Sequence, residues 1–94
     1  MKLSSEDVKR RLEQLGGGWS LADNAIQKQF TFEGFPQAVA FVGRLVPGAE
    51  AADHHPDLTI NYKRVTVSYS THDEGGITEK DFAGARMAES KAES

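Results

Sequence analysis

The three histidines are the residues in this sequence best suited to chemistry. His54 and His55 are adjacent and precede Pro56, and His72 follows further on. Histidine has an ordinary pKa of ~6.5, so it can give and take protons near neutrality. Carboxylates surround it in sequence: Glu50, Asp53 and Asp57 nearby, with Asp81 within plausible reach through the fold. A carboxylate beside an imidazole fixes its tautomer and favours its charged form. Such a set suits general acid–base catalysis.

Each residue also has a plainer reading. A His-His pair in a loop is commonly solvated surface, and so is a lone histidine at a strand end such as His72. An aspartate in the first turn of a helix, where Asp81 falls, favours the helix dipole without doing chemistry. Asn61 and Tyr62 read first as strand and turn residues. Zinc is a further option, but neighbours in an extended chain point opposite ways, so His54 and His55 converge poorly on one ion. No H-x-x-x-H or H-E-x-x-H spacing is present, and no metal site is expected. Gly16-Gly17-Gly18 follows a helical stretch, so it reads as a terminator, not a phosphate loop.

The elements that must position these histidines follow from periodicity. Val8, Leu12 and Leu15 mark one face of an amphipathic helix, capped by Ser4 or Ser5. Trp19 and Leu21 suggest a short strand, Asp23-Asn24 a turn, and Ile26, Phe30 and Phe32 the apolar face of the next strand. Phe35, Ala38, Val39, Val42, Leu45 and Val46 return to helical spacing. Pro47-Gly48 should then kink or break that helix, leaving Ala49 to Asp53 in a turn or separate piece.

Asp57 to Tyr62 and Val65 to His72 alternate strictly, and Tyr62-Lys63-Arg64 is too short for a crossover. They therefore form an antiparallel hairpin with one apolar face. Hairpin geometry brings the start of the first strand to the end of the second, and with it His54 and His55 towards His72. Gly75-Gly76 closes the strands, Thr78 caps a last helix, and Ile77 with Phe82 has the spacing of a hydrophobic staple. Phe82, Ala85 and Ala88 give that helix a weak apolar stripe, and the Glu/Lys/Ser tail is expected to fray. The order αββαββα predicts an α+β domain: a four-stranded antiparallel sheet with its helices packed on one face.

Ninety-four residues make one domain, 1–94, with a thin core. Chains this small often gain stability by oligomerising, and a homo-oligomer is expected. There is no cysteine, so disulfides and Cys-based zinc sites are excluded. The net charge is −3 with no basic stripe, which argues against a nucleic-acid partner. No stretch is apolar enough to span a membrane, and no apolar segment marks a leader, so a cytoplasmic protein is expected.

The motif Glu50-x-x-x-His54-His55-Pro56, continued by Tyr62, His72 and Asp81, resembles the pterin-4a-carbinolamine dehydratase family. Thr71-His72-Asp73 with Gly75-Gly76-Ile77-Thr78-Glu79-Lys80-Asp81 looks like its bacterial form. Gly18-Trp19, Phe30-x-Phe32 and the run from Phe35 to Arg44 extend the likeness from about Leu12 to Ala88. The resemblance implies a hydro-lyase that removes water from 4a-hydroxytetrahydrobiopterin or a related pterin, giving the quinonoid dihydropterin that a reductase recycles. It implies no metal and no cofactor, and assembly as a homodimer or homotetramer. His54 and His72 would be the acid–base pair and His55 a binding or electrostatic support. Glu50, Asp53, Pro56, Thr71 and Asp81 would bind or orient the substrate. Pro47-Gly48 departs from the family pattern and puts the placement of Glu50 in question. The alternative is a non-catalytic dimerisation cofactor or assembly factor of the same fold; retention of the whole histidine motif favours the enzyme. A related enzyme acting on another pterin is a third possibility.

Overall fold

The structure is a computed structural model that describes residues 2–93. Helix α1 (Ser5–Leu15) starts where the Ser4 hydroxyl accepts the Asp7 amide, and ends at Gly16, whose φ of 64° suits glycine. Strands β1 (Ser20–Ala22) and β2 (Ala25–Thr31) follow as a hairpin, then helix α2 (Phe35–Ala52). Strands β3 (Asp57–Asn61) and β4 (Arg64–Tyr69) form the second hairpin. A short 3₁₀ turn at His72–Glu74 leads to helix α3 (Glu79–Ala92). The order αββαββα is the one that the periodicity predicts.

All strand pairings are antiparallel, in the order β1-β2-β4-β3. Burial along β4 alternates, with Val65, Val67 and Tyr69 turned inward, and the same alternation carries on to Thr71. With Ile26 and Phe30 of β2 they form the sheet side of the core. Val8, Phe41, Leu45, Phe82 and Ala85 supply the helix side. Trp19 meets Phe30 edge-on, ring centroids 6.0 Å apart. Among the described residues no helix is long and apolar enough to cross a membrane.

Helix α2 runs unbroken through Pro47, against the expectation of a kink or break. An interior proline costs ~3 kcal/mol through a lost amide and a clash with the carbonyl four residues back. Here Pro47 and Gly43 both lie on the exposed face, so water can take up the freed carbonyl. On the other face Ala38, Phe41, Leu45 and Ala49 form one buried stripe that spans the proline. Burying a leucine alone stabilises by ~1.5–3 kcal/mol. Packing outweighs local propensity, and Glu50 stays on the helix.

Two smaller expectations also change. Strand β3 stops at Asn61, because Tyr62 adopts a left-handed turn conformation with φ 57°. Leu58 and Ile60 pair with Val67 and Val65 and so share their face, yet they stay 37% and 40% exposed at the sheet edge. Helix α3 continues to Ala92, into the Glu/Lys/Ser segment, whose last residue lies outside the described residues. Glu89 accepts hydrogen bonds from the Trp19 indole at 2.9 Å and from Lys28, and the Lys91 carbonyl accepts one from Arg44.

Candidate active site

The start of α3 organises the site. Thr78 is the N-cap and Asp81 lies three residues on, in a capping box. The Thr78 amide donates to Asp81 Oδ2 at 2.9 Å, and so does the Thr71 hydroxyl, also at 2.9 Å. The Lys80 amide donates to the Thr78 hydroxyl, which lies 2.8 Å from that of Thr71. With the Thr71 proton on Asp81, the Thr78 hydroxyl must donate to Thr71, so one directed chain of donors ends on the carboxylate. Asp81 is wholly buried. Two donors hold Oδ2, and Oδ1 is left facing His54.

His54 Nε2 donates to Asp81 Oδ1 at 2.6 Å. The imidazole arrives there from the end of α2. Asp53 caps that helix in a left-handed conformation, its amide on the Ala49 and Glu50 carbonyls, and the His54 amide also returns to Ala49. Asp53 thus acts through its backbone, as the bend that delivers His54 and His55. A carboxylate holding Nε2–H leaves Nδ1 as the acceptor in the neutral ring. His54 lines a cavity of about 170 Å³ between α2 and α3, with Gly48, Ala52, Gly84 and Met87.

Tyr69 backs the same imidazole. Its ring stacks on His54 at 5.9 Å with 22° between planes, and it is fully buried. A Cβ on Gly84 would lie 2.5 Å from Tyr69 Cε1, so the glycine makes room for the ring. Burial, and secondly the charge of Asp81, push the phenol up to about 12. Its hydroxyl has no hydrogen-bond partner among the described residues. Neither Tyr69 nor the Thr78 hydroxyl stands out in the sequence as a site residue. The alternation of β4 is the signal that places Tyr69 beside Thr71.

The other two imidazoles have different settings. His55 Nε2 donates to Glu50 Oε2 at 2.5 Å, and both side chains are exposed. The unbroken α2 is what brings Glu50 to this position. An exposed pair of this kind adds about 0–1 kcal/mol to stability, so it is available for binding without cost to the fold. Pro56 separates it from β3 and holds His55 towards extended geometry. His72 opens the 3₁₀ turn directly after Thr71 and is exposed. It lines a cavity of about 420 Å³ with Gln27, Ser68, Ser70 and Gly76, on the side of β4 turned away from the helices.

Thr71 is therefore the junction of the site. Its side chain joins Asp81 and His54 inside, and the residue after it carries His72 outside. No hydrogen bond or ring contact links one imidazole to another among the described residues. Nor do three or more His, Asp or Glu side chains gather there in a way that could hold a metal ion.

Comparison with known proteins gives a consistent family. The sequence matches the family described as Pterin 4 alpha carbinolamine dehydratase over residues 1–91. A protein of Picosynechococcus sp., provisionally named a pterin-4-alpha-carbinolamine dehydratase, is 49% identical over 86% of this chain and 87% of its own. One of Sulfolobus acidocaldarius with the same provisional name is 48% identical over 92% of this chain and 93% of its own. Among solved structures, a transcriptional coactivator/pterin dehydratase from Brucella melitensis superposes with a TM-score of 0.92 at 35% identity. That match covers 98% of this chain and 99% of the other. A pterin dehydratase-like protein described as a RuBisCO assembly factor of the alpha-carboxysome shares the fold, with a TM-score of 0.69 at 22% identity over 85% of this chain and 95% of its own.

Proposed function

This chain belongs to the pterin 4 alpha carbinolamine dehydratase family, and on that premise we propose that it dehydrates a 4a-hydroxytetrahydropterin by histidine acid–base catalysis. The observation that carries the proposal is a fully buried carboxylate, Asp81, aimed by two donors at the His54 imidazole.

In the reaction the C4a–O bond breaks and the oxygen leaves as water, having taken a proton. N5 loses its proton, and that electron pair forms the C4a=N5 bond of the quinonoid product. With Nε2–H committed to Asp81, His54 presents Nδ1 as the base for the N5 proton, and Asp81 steadies the imidazolium that results. For His72 to deliver the proton to the leaving hydroxyl, the pterin must lie across the rim at Thr71, because His54 and His72 line separate cavities on the two sides of β4. His55, paired with Glu50, receives the polar part of the ring system at the rim. Each proton transfer contributes roughly 10²–10⁴-fold. The protein needs no metal or cofactor for these steps, and a reductase acting on the quinonoid product would complete the cycle.

A homo-oligomer belongs to the same proposal. Leu58 and Ile60 on the β3 edge, with Phe35, Val39 and Val46 along α2, leave apolar side chains 37–54% exposed. A second copy covering them would bury this surface and the open edge of β3 together.

The test is dehydration of a chemically prepared carbinolamine. His54→Ala and His72→Ala should each slow it by about tenfold or more with the fold intact by circular dichroism. Near-normal rates in both would reject histidine catalysis. Wild-type protein that leaves the carbinolamine to decay at its uncatalysed rate would reject the enzyme altogether and favour a binding role.

A further inference from the structure

Gly48, the second residue of the Pro47-Gly48 pair, shapes a crevice beside His54. A Cβ at this position would lie 2.9 Å from Met87 Cε, so any side chain here would displace the thioether. Gly48 and Ala52 are one turn apart on α2, and Ala83 and Met87 one turn apart on α3, with Gly84 beside them. Together they line the cavity of about 170 Å³ that His54 and Lys80 also border. Gly48 and Met87 lie at one end, and His54, held by Asp81, at the other. Ala52 and Ala83 are exposed, so the crevice opens to solvent between them. Its walls are apolar apart from His54 and Lys80.

The proposed reaction fixes which part of a pterin would meet this crevice. His54 takes the proton from N5, so N5 lies against the imidazole. N5 has two ring neighbours, C4a and C6. C4a carries the leaving hydroxyl and is directed across the rim at Thr71, towards His72 and its separate cavity. C6 is then on the other flank of N5, on the crevice side, and a substituent on C6 leaves the ring there. A cavity of ~150 Å³ holds about one benzene-sized group. The crevice is too small for the bicyclic ring and large enough for a short side chain.

We propose that this crevice is a specificity subsite for the C6 substituent, selecting a short, largely aliphatic side chain of about three carbons. The inference rests on the dehydratase reading, which supplies the orientation of the ring. A hydrogen at C6 leaves the apolar walls against water, and a long aromatic substituent overruns the space at Gly48 and Met87.

The experiment compares kcat/KM for two carbinolamines, one with hydrogen at C6 and one with a three-carbon side chain. Wild-type protein should prefer the chain-bearing substrate by about tenfold or more, the scale on which an apolar pocket discriminates added methylene groups. Equal values for the two overturn the proposal. Ala52→Leu sets a larger side chain into the crevice from an exposed position and should reduce the preference by about tenfold. An unaltered preference overturns the proposal as well. Ala83→Leu repeats the measurement from the opposite wall, so that loss of fold in one variant leaves the other to decide. Wild-type protein inactive on both substrates rejects the dehydratase reading. Calorimetric titration with the two corresponding 7,8-dihydropterins, which needs no turnover, then decides the subsite. Tighter binding of the chain-bearing compound, weakened in Ala52→Leu, supports it; equal affinity or no binding overturns it.

Discussion

Asp81 Oδ1 and His54 Nε2 lie 2.6 Å apart across 27 residues of sequence, and the same carboxylate that holds the imidazole also caps α3. The pairing joins the end of one helix to the start of another. Asp53 bends the chain off α2 so that His54 turns inward, and Thr78 and Thr71 hold the carboxylate in wait for it. The tautomer at His54 thus depends on a helix cap.

Asp81→Asn separates these two duties. The amide oxygen still accepts from the Thr78 amide, so the helix start should survive with a loss below about 2 kcal/mol. The negative charge is gone and the amide nitrogen competes for Nε2, so dehydration should fall by about a hundredfold or more. Urea denaturation and carbinolamine turnover read the two effects separately. Wild-type turnover in this variant would remove Asp81 from the mechanism.

Gly84→Ala tests the seat of Tyr69. The new Cβ would meet the ring at 2.5 Å from Cε1, and an overpacked core of this kind costs ~1–3 kcal/mol. Adding Tyr69→Leu should restore part of that stability by vacating the ring position. Thermal denaturation of both variants checks it: if Gly84→Ala melts with the wild type, Gly84 is not what accommodates the ring.

Alkaline stability should carry the mark of Tyr69. The fold holds its phenol to about 12 against an ordinary 10.0, chiefly by burial and secondly through Asp81. The folded state therefore keeps a proton that the unfolded chain gives up. The associated stability is fully present below pH 10 and is lost as pH rises towards about 12. Urea midpoints followed across that range should drop more steeply in wild type than in Tyr69→Phe. Parallel declines would show that the phenol is not held in its neutral form.

Ile60→Asp places a charge on the exposed edge strand, where Ile60 is 40% accessible in a single chain. An isolated domain should tolerate it, since the side chain is not in the core. An assembly that buries this edge should not, so light scattering is expected to show a smaller species than wild type. Identical mass for the two proteins would move the interface elsewhere.

Much of this was legible from spacing. The hairpin Asp57–Asn61 with Arg64–Tyr69 follows from strict alternation, and Thr78 with Asp81 has the spacing of a helix start. Pattern alone assigned Asp81 to the helix dipole, because nothing local shows that a residue from the end of α2 will land on its second oxygen. Pro47 misled for a related reason: its cost is local, whereas the buried stripe that outweighs it, from Ala38 to Ala49, acts through tertiary packing. Tyr69 looked like one more inward strand residue. Only the fold sets its ring on a glycine and against the His54 imidazole.

The double duty of Asp81 bears on how lineages of this fold can drift. A descendant that replaces Asp81 with a residue lacking a side-chain acceptor loses turnover and unstitches the first turn of α3 in one step, so it is exposed to degradation before it can acquire a new occupation. Scaffolds that have left catalysis behind should therefore carry a substitute at position 81 that still caps the helix, such as asparagine or serine, while the histidines are free to vanish first.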